Sequence, residues 1–172
     1  MSGSGVSRDP LPHAISRDDY APATISLLSN TLLWGGSRTY HQRFGIRTNE
    51  WRVLSALGGR PGATAAEAGE LLGLNKSVVS RSVALLREQG MVVLEREPGA
   101  KRLYLTDRGV EVHDAILPIA LAREESLFEG FTEEEAAQMR SFLSRMYSNA
   151  ARLKKYDESC LQRDSSSEQS TR

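Results

Sequence analysis

The sequence has one cysteine, no long apolar run and no net charge, and each lack excludes a class of protein. Cys160 is the only cysteine, so a disulfide framework and a multi-cysteine zinc site are excluded. No run of roughly 18 apolar residues is present to span a membrane. The N-terminus lacks the basic start and apolar core of a secretory signal peptide. We therefore expect a cytoplasmic protein.

Motifs of the common enzyme classes are also missing. The sequence has no Gly-rich phosphate loop, no H-E-x-x-H and no G-x-S-x-G. The three histidines, His13, His41 and His113, do not have the spacing of metal ligands. We expect neither an enzyme nor a metal site nor a cofactor.

Charge is balanced over the chain but not along it. Lys+Arg and Asp+Glu both number 22, which excludes a globally basic nucleic-acid binder. From Asn75 to Arg108, however, seven basic residues face four acidic ones, a local excess of +3. Residues 123–137 instead carry six glutamates against Arg123. The neutral total therefore hides a basic segment followed by an acidic one.

The spacing of apolar residues predicts a mainly α chain in which a helix-turn-helix is followed by one small β-hairpin and then by long helices. Capping boxes, Thr64 with Glu67 and Thr132 with Glu135, open the third and sixth helices. The sixth is predicted to continue through Leu153. The predicted segments are a flexible arm at 1–19, a body at 20–155 (terminal helices at 20–44 and 107–155, helix-turn-helix with its hairpin at 47–106) and a disordered tail at 156–172.

Hydroxyl and cationic side chains occupy the outer, N-terminal half of the fourth helix. The apolar stripe of Val79, Val83 and Leu86 must face inward. Residues near the N-terminus of a recognition helix reach base edges in the major groove, and hydroxyl groups there also suit phosphate. With Thr64 at the start of the third helix, the predicted DNA contacts here are Lys76, Ser77, Val78, Ser80 and Arg81.

The hairpin that follows carries three cations near its predicted Pro98-Gly99 turn. Arg96, Lys101 and Arg102 lie within seven residues of each other. The negative potential of a narrow minor groove attracts arginine, so we expect this wing to contact the flanking minor groove. Three alternatives remain open. Lys76 and Lys101 are solvated surface charges, the helix-turn-helix pattern reflects only helix packing, or the winged helix serves protein interaction.

Five stretches together resemble the MarR family of winged helix-turn-helix transcription regulators. They are FGIRTNEWRVLSAL (44–57), TAAEAGELLGLNKSVVSRSVALLREQGMV (64–92), REPGAKRLYLTDRG (96–109), ILPIA (116–120) and FTEEE (131–135). The resemblance covers about residues 20–155. It implies a homodimer joined through the terminal helices, a DNA-reading fourth helix, a wing and often a small effector pocket. One departure is Ala100, where the family commonly has an aspartate that pairs with a recognition-helix arginine.

Two further surfaces are predicted from helical spacing. A long apolar stripe that one small domain cannot easily cover predicts a dimer interface at Met139, Phe142, Leu143, Met146 and Ala150. Trp34, Arg38 and His41 share one face of the first helix and suit a small aromatic acid, with His113 as a further candidate. The alternative is that Trp34 belongs to the core and the other two to the surface or an interface.

These features predict a homodimeric, sequence-specific regulator that binds double-stranded DNA at an inverted-repeat operator. The resemblance implies repression of a catabolic or efflux operon, released by an aromatic carboxylate or its coenzyme A thioester. The alternatives are a ligand-independent DNA-binding protein and a winged-helix protein-interaction module.

Overall fold

The structure is a computed structural model that describes residues 7–169, with side chains up to residue 162. Within that range it is mainly helical with one antiparallel hairpin, as predicted. The elements are α1 Ala21–Phe44, α2 Thr48–Gly59, α3 Ala65–Leu72, α4 Lys76–Glu88, β1 Val92–Glu97, β2 Ala100–Leu105, α5 Asp107–Leu127, α6 Glu133–Ser148 and α7 Ala150–Gln169. The chain forms two compact units, Met1–Ile119 and Ala120–Arg172.

The first unit contains the main core. Its largest fully buried apolar side chains come from α2, α4, β2, α5 and the segments beside them. They are Ile46, Leu54, Leu57, Leu86, Met91, Leu103 and Ile116. Burying a side chain of this kind contributes roughly 1.5–3 kcal/mol. The inward stripe predicted for the fourth helix is confirmed, since Val79, Val83 and Leu86 are all buried.

The turn between α3 and α4 depends on two glycines. Gly73 follows α3 in the left-handed conformation, with φ 62°, which glycine adopts at no steric cost. The backbone N–H of Leu74 donates to the carbonyl of Gly69 at 2.9 Å. A Cβ on Gly69 would lie 3.3 Å from a methyl carbon of Val79. The small residue therefore lets α3 pack closely against α4.

The hairpin is short and is held to the body along one strand. β1 pairs with β2 in antiparallel register, from Val92 with Leu105 to Glu97 with Ala100. Leu103 of β2 also exchanges two backbone hydrogen bonds with residues 62–63, at 2.9 and 3.1 Å. Because partners in register share a face, Arg96 and Lys101 lie on the same face as the buried Leu103.

The second unit contains the end of α5 with α6 and α7. Thr132 and Glu135 form the predicted capping box. Arg140 forms an ion pair with Glu124 at 3.3 Å, and its guanidinium lies 5.1 Å from the Phe128 ring centroid. Ala136 is the residue of α6 that is buried. Most of the apolar side chains of this unit are exposed in the single chain.

The structure differs from the sequence-based expectation in the last 40 residues or so. The spacing predicts one helix through Leu153, but α6 ends at Ser148 and α7 begins at Ala150. Asn149 separates them, and its N–H donates to the carbonyl of Met146 at 3.0 Å in a tight turn. The tail at 156–172, expected to be disordered, is helical as far as Gln169. Residues 170–172 lie outside the described residues.

At the other end, residues 1–6 lie outside the described residues. Residues 7–20 form turns and bends before α1. The flexibility of the arm at 1–19 stays a prediction. No helix in the described range is both long and apolar enough to cross a membrane.

Candidate nucleic-acid interface and ligand cavities

Helix α4 presents two distinct faces. Val79, Ser82 and Val83 are buried on the inner face. Four of the predicted DNA contacts are exposed on the outer face, and Val78 is half-buried beside them. These exposed residues are Lys76, Ser77, Ser80 and Arg81. The outer face carries hydroxyl and cationic groups, which suit phosphate and base edges.

The first turn of α4 is capped and free of acidic residues. Asn75 Oδ1 accepts hydrogen bonds from the Val78 N–H at 2.9 Å and the Ser77 hydroxyl at 2.8 Å. The Nε of Arg81 donates to the Ser77 carbonyl at 3.3 Å, which holds the arginine along the helix. The positive end of the helix dipole therefore coincides with Lys76 and Arg81, and this end of α4 attracts anions.

Glu50, which the sequence analysis did not predict, joins the inner face of α4 to the start of α2. Glu50 Oε1 accepts a hydrogen bond from the buried Ser82 hydroxyl at 2.6 Å, and Glu50 Oε2 accepts one from the Arg47 backbone N–H at 3.0 Å. This single side chain joins the start of α2 to α4. The signal in the sequence was a serine within the apolar stripe of the fourth helix, since a buried hydroxyl needs a partner.

The wing tip carries one exposed pair of cations. Arg96 and Lys101 face each other across the two strands, beyond the Leu94–Leu103 pair of the ladder. Like charges directly opposite each other are destabilising unless an anion lies near. The pair is therefore placed to favour a negatively charged partner such as a DNA backbone.

Arg102, by contrast, is engaged within the protein. Its Nε donates to Glu97 Oε2 and its Nη1 to the Gly62 carbonyl, both at 2.9 Å. Glu97 also accepts from the Tyr104 hydroxyl at 3.1 Å, which raises the pKa of that phenol. Arg102 thus braces the hairpin against the 60–63 loop instead of extending from the tip as an unattached cation.

Thr64 has a comparable structural task. Its hydroxyl accepts from the Glu67 N–H at 3.2 Å, and its own N–H donates to Glu67 Oε2 at 2.7 Å. These bonds hold the pKa of the Glu67 carboxyl below its usual range. Thr64 is therefore the N-cap of α3. Its hydroxyl hydrogen is what remains to be donated to a phosphate oxygen.

Known proteins resemble this arrangement. The MarR family model matches residues 44–103. A MarR/EmrR family transcriptional regulator from Acinetobacter sp. ADP1 is 30% identical, and the match covers 80% of this chain and 99% of that one at a TM-score of 0.75. The chain belongs to the MarR family. It is a DNA-binding transcriptional regulator and not an enzyme.

Two more distant MarR-fold structures show the same architecture. The S. aureus MepR–DNA complex is 21% identical over 78% of this chain and 99% of that one, with a TM-score of 0.70. PcaV from Streptomyces coelicolor, solved with its natural ligand, is 22% identical over 80% of this chain and 99% of that one, with a TM-score of 0.68. No curated protein sequence matches the chain.

The effector residues predicted for this MarR-family chain do not form one site within the first unit. A cavity of about 310 Å³ is lined by Arg38 and His41 together with Ser37, Gln42 and Arg47. Trp34 is not among its lining residues, and its side chain is 72% exposed. Of the predicted effector residues, Arg38 and His41 therefore share a cavity at the α1–α2 junction with Arg47, and their role in binding an effector stays a prediction.

His113 is also separate from that cavity. Its ring stacks on Trp51 with centroids 5.3 Å apart, and its Nδ1 lies 2.8 Å from Asp114 Oδ1. Gly58 packs against the same ring, and a Cβ at that position would lie 3.4 Å from Nε2. The helical spacing placed His113 on α5 correctly but did not show that residues of α2 contact its ring.

The predicted dimer residues are exposed in the single chain. Met139, Phe142, Leu143 and Met146 are 39–47% exposed along α6. Ala150 is half-buried and begins α7, so the predicted stripe spans two helices instead of one. In the described residues, no cluster of His, Cys, Asp or Glu could hold a metal ion.

Proposed function

We propose that this protein is a cytoplasmic homodimeric repressor that binds an inverted-repeat operator and is released by a small organic anion. The observation that carries the proposal is the outer face of α4, where Lys76, Ser77, Ser80 and Arg81 are exposed above a buried apolar stripe. A protein-interaction module has no need of cations there. Operator recognition needs them, because phosphate contacts position the protein and base contacts specify the sequence.

The two DNA-contacting elements have separate tasks. Helix α4 enters the major groove, where Arg81 forks onto a guanine and Val78 lies against a thymine methyl. The exposed pair Arg96 and Lys101 at the wing tip contacts the flanking minor groove or its phosphates. Arg102 supports this contact by holding the hairpin in place through Glu97 and Gly62.

A second copy of the chain is the proposed partner of the exposed apolar side chains. Phe142, Leu143 and Met146 on α6 are each more than 40% exposed, and α1 carries a similar row that includes Leu27 and Leu28. Large contiguous apolar patches on soluble proteins mark interaction sites. A two-fold dimer would present two copies of α4 to half-sites about one helical turn apart.

The proposed effector is an aromatic carboxylate or its coenzyme A thioester. The cavity at the α1–α2 junction brings Arg38, His41 and Arg47 around about 310 Å³ with no acidic residue in its lining. Arginine binds a carboxylate or phosphate by bidentate, charge-assisted hydrogen bonds. The ligand complex of the structurally similar PcaV supports a small-molecule effector for this fold.

The binding of DNA is tested by its dependence on salt. Genomic fragments bound by the protein are sequenced to define the operator, and its dissociation constant is then measured from about 50 to 200 mM salt, where six or more phosphate contacts lose about 10³-fold or more in affinity. A protein-interaction module would show no operator and no such slope. Neither result depends on the identity of the effector.

The effector is tested at Arg38. We expect Arg38→Ala to abolish the response to aromatic acids and thioesters while operator binding survives, because the residue lies in the cavity and outside α4 and the wing. Calorimetric titration of wild type and Arg38→Ala with a panel of these anions measures the effect. Equal affinity in both proteins would remove Arg38 as the anchor.

A further inference from the structure

A second cleft in the first unit lies between one side of α2 and the end of α3. Its volume is about 440 Å³, within the range of small-molecule sites. Trp51, Arg52, Ala56 and Arg60 of the α2 segment form one side. The end of α3, Leu71–Leu72, forms the other. The cleft shares no lining residue with the cavity that contains Arg38.

Arg52 is a partly buried cation whose hydrogen-bond acceptor carries no charge. Its Nη2 donates to the carbonyl oxygen of Leu72, which is a neutral acceptor. Burial lowers the pKa of its guanidinium, and no neighbouring carboxylate offsets that effect. Within the described part of the chain, neither Arg52 nor Arg60 forms an ion pair.

A charge in this position favours an anionic ligand. Burying a cation away from water is costly unless it is paired, and the guanidinium still has N–H donors beyond the one that serves Leu72. Arg60 lines the same cleft and is exposed to solvent. A carboxylate or sulfonate between the two side chains would pair with both and would meet no acidic lining residue.

Beside the two arginines and Ser55, the cleft is lined by apolar residues and Gly59. Leu71 is 53% exposed although it is a leucine, and Ala56 lies on the α2 side. Trp51 also lines the cleft, and its ring contacts those of Tyr40 and His113. A small apolar ring is therefore the body that would cover these surfaces.

We propose that this cleft binds a small organic anion with an apolar ring, its charge between Arg52 and Arg60 and its ring against Leu71 and Trp51. The site is additional to the effector cavity of the proposed function. Leu72 is the last residue of α3, directly before the Gly73 turn. A ligand that pairs with the remaining N–H donors of Arg52 would therefore bind beside the hydrogen bond that joins α2 to the end of α3.

The chain provides its own reporter for this site. It has two tryptophans, and Trp34→Phe leaves Trp51, a lining residue, as the sole one. Trp34 is 72% exposed, so its replacement should leave the fold intact. We titrate this full-length variant with benzoate and follow Trp51 fluorescence, with uncharged benzamide as the matched control. We expect a saturable change with benzoate and at least tenfold weaker binding of benzamide.

Variants locate the binding event. In the Trp34→Phe background, we expect Arg52→Gln to weaken benzoate binding at least tenfold and Arg60→Gln severalfold. Arg108→Gln on the exposed surface of α5 is the matched control and should leave the benzoate titration unchanged. Because Arg60 is exposed, Arg60→Glu provides a second test that does not depend on the packing of α2. It should abolish the response.

Two results would overturn the proposal. One is a benzoate response that survives in both Arg52→Gln and Arg60→Glu. The other is a response lost in Arg38→Gln and kept in Arg52→Gln, which would assign the signal to the α1–α2 cavity. Operator affinity measured with the same variants separates this outcome from a failure of DNA binding itself.

Discussion

The cations proposed to contact DNA differ in the hydrogen bonds that they already make within the protein. Arg81 donates through Nε to the Ser77 carbonyl of its own helix. Arg96 and Lys101 are exposed at the wing tip. Arg102 makes hydrogen bonds to Glu97 and Gly62. Substitutions at these positions should therefore have different effects, although all remove one positive charge.

Replacing Arg81 should affect sequence preference. We expect Arg81→Ala to weaken operator binding by about 1–3 kcal/mol and to relax the preference at one base pair in each half-site. Binding to the operator and to its single-base variants measures both effects. An equal loss on random DNA would reduce Arg81 to a phosphate contact.

Replacing Arg102 should act through the hairpin. We expect Arg102→Ala to lower the free energy of unfolding by about 1 kcal/mol, since its ion pair with Glu97 is partly exposed to solvent. Lys101→Ala is the matched control: it should keep the melting temperature and reduce the salt slope of DNA binding by about one. Thermal unfolding and salt titrations compare the two. If Arg102→Ala has the melting temperature of wild type, the contacts of Arg102 with Glu97 and Gly62 contribute nothing to stability.

Residue contacts could be predicted from the sequence only where they are local. The faces of α4 follow from apolar spacing within one helix, and that prediction is confirmed. The Ser82–Glu50 bond joins residues 32 apart and the Arg102–Gly62 bond joins residues 40 apart, so no pattern within one segment identifies either pair of partners. Trp34 shares a helix face with Arg38, but the Arg38 cavity is completed by Arg47 beyond the helix end.

At the scale of elements, the N-terminal caps of α3 and α6 follow one design. A threonine hydroxyl accepts from the third helical N–H, and the glutamate there accepts from the threonine N–H. The sequence predicted both caps, since the pattern spans only four residues. The break at Asn149 carried no comparable motif, and it was missed.

The cap of α3 makes stability depend on pH in a defined direction. Thr64 holds the pKa of Glu67 below its usual range, so the folded state binds this proton less readily than the unfolded state. The stabilisation is therefore present above the ordinary glutamate pKa and is lost as the pH falls through the lowered folded value. We expect wild type and Glu67→Gln to differ in melting temperature at neutral pH and to converge in acid.

The control for this measurement is a glutamate outside the caps. Glu70→Gln on the exposed side of α3 should show no comparable change with pH. A melting-temperature difference between wild type and Glu67→Gln that stays constant from neutral to acid pH would contradict the assignment. Thermal unfolding across the acid range follows all three proteins.

At the scale of the whole molecule, assembly is the property that the proposed function requires. We expect Leu143→Asp to give monomers with little operator affinity, because a charge would enter the proposed dimer interface and bivalent binding would be lost. Ser144→Asp, on the same exposed helix, adds the same charge beside that stripe and should remain dimeric. Sedimentation measures both. A dimeric Leu143→Asp would place the interface elsewhere.

The fold class was predictable because the winged helix follows from contiguous periodic segments and a hairpin turn. For the proposed dimer, the sequence offers only an apolar stripe, and residues of that stripe such as Phe142 and Met146 are exposed in the single chain. The identity of what covers them lies in the packing of one surface on another, which no pattern along one chain describes.

The short wing acts as a ruler. The fully buried residue nearest the tip of the hairpin is Leu103, which pairs with Leu94. The cations Arg96 and Lys101 lie two residues closer to the turn. Two strand residues extend about 7 Å. Since base pairs stack about 3.4 Å apart, that reach corresponds to about two base pairs. In the proposed operator complex, the length of the hairpin, more than its composition, would set where the outer edge of each half-site lies, and lengthening both strands by two residues would move that edge outward by a similar distance.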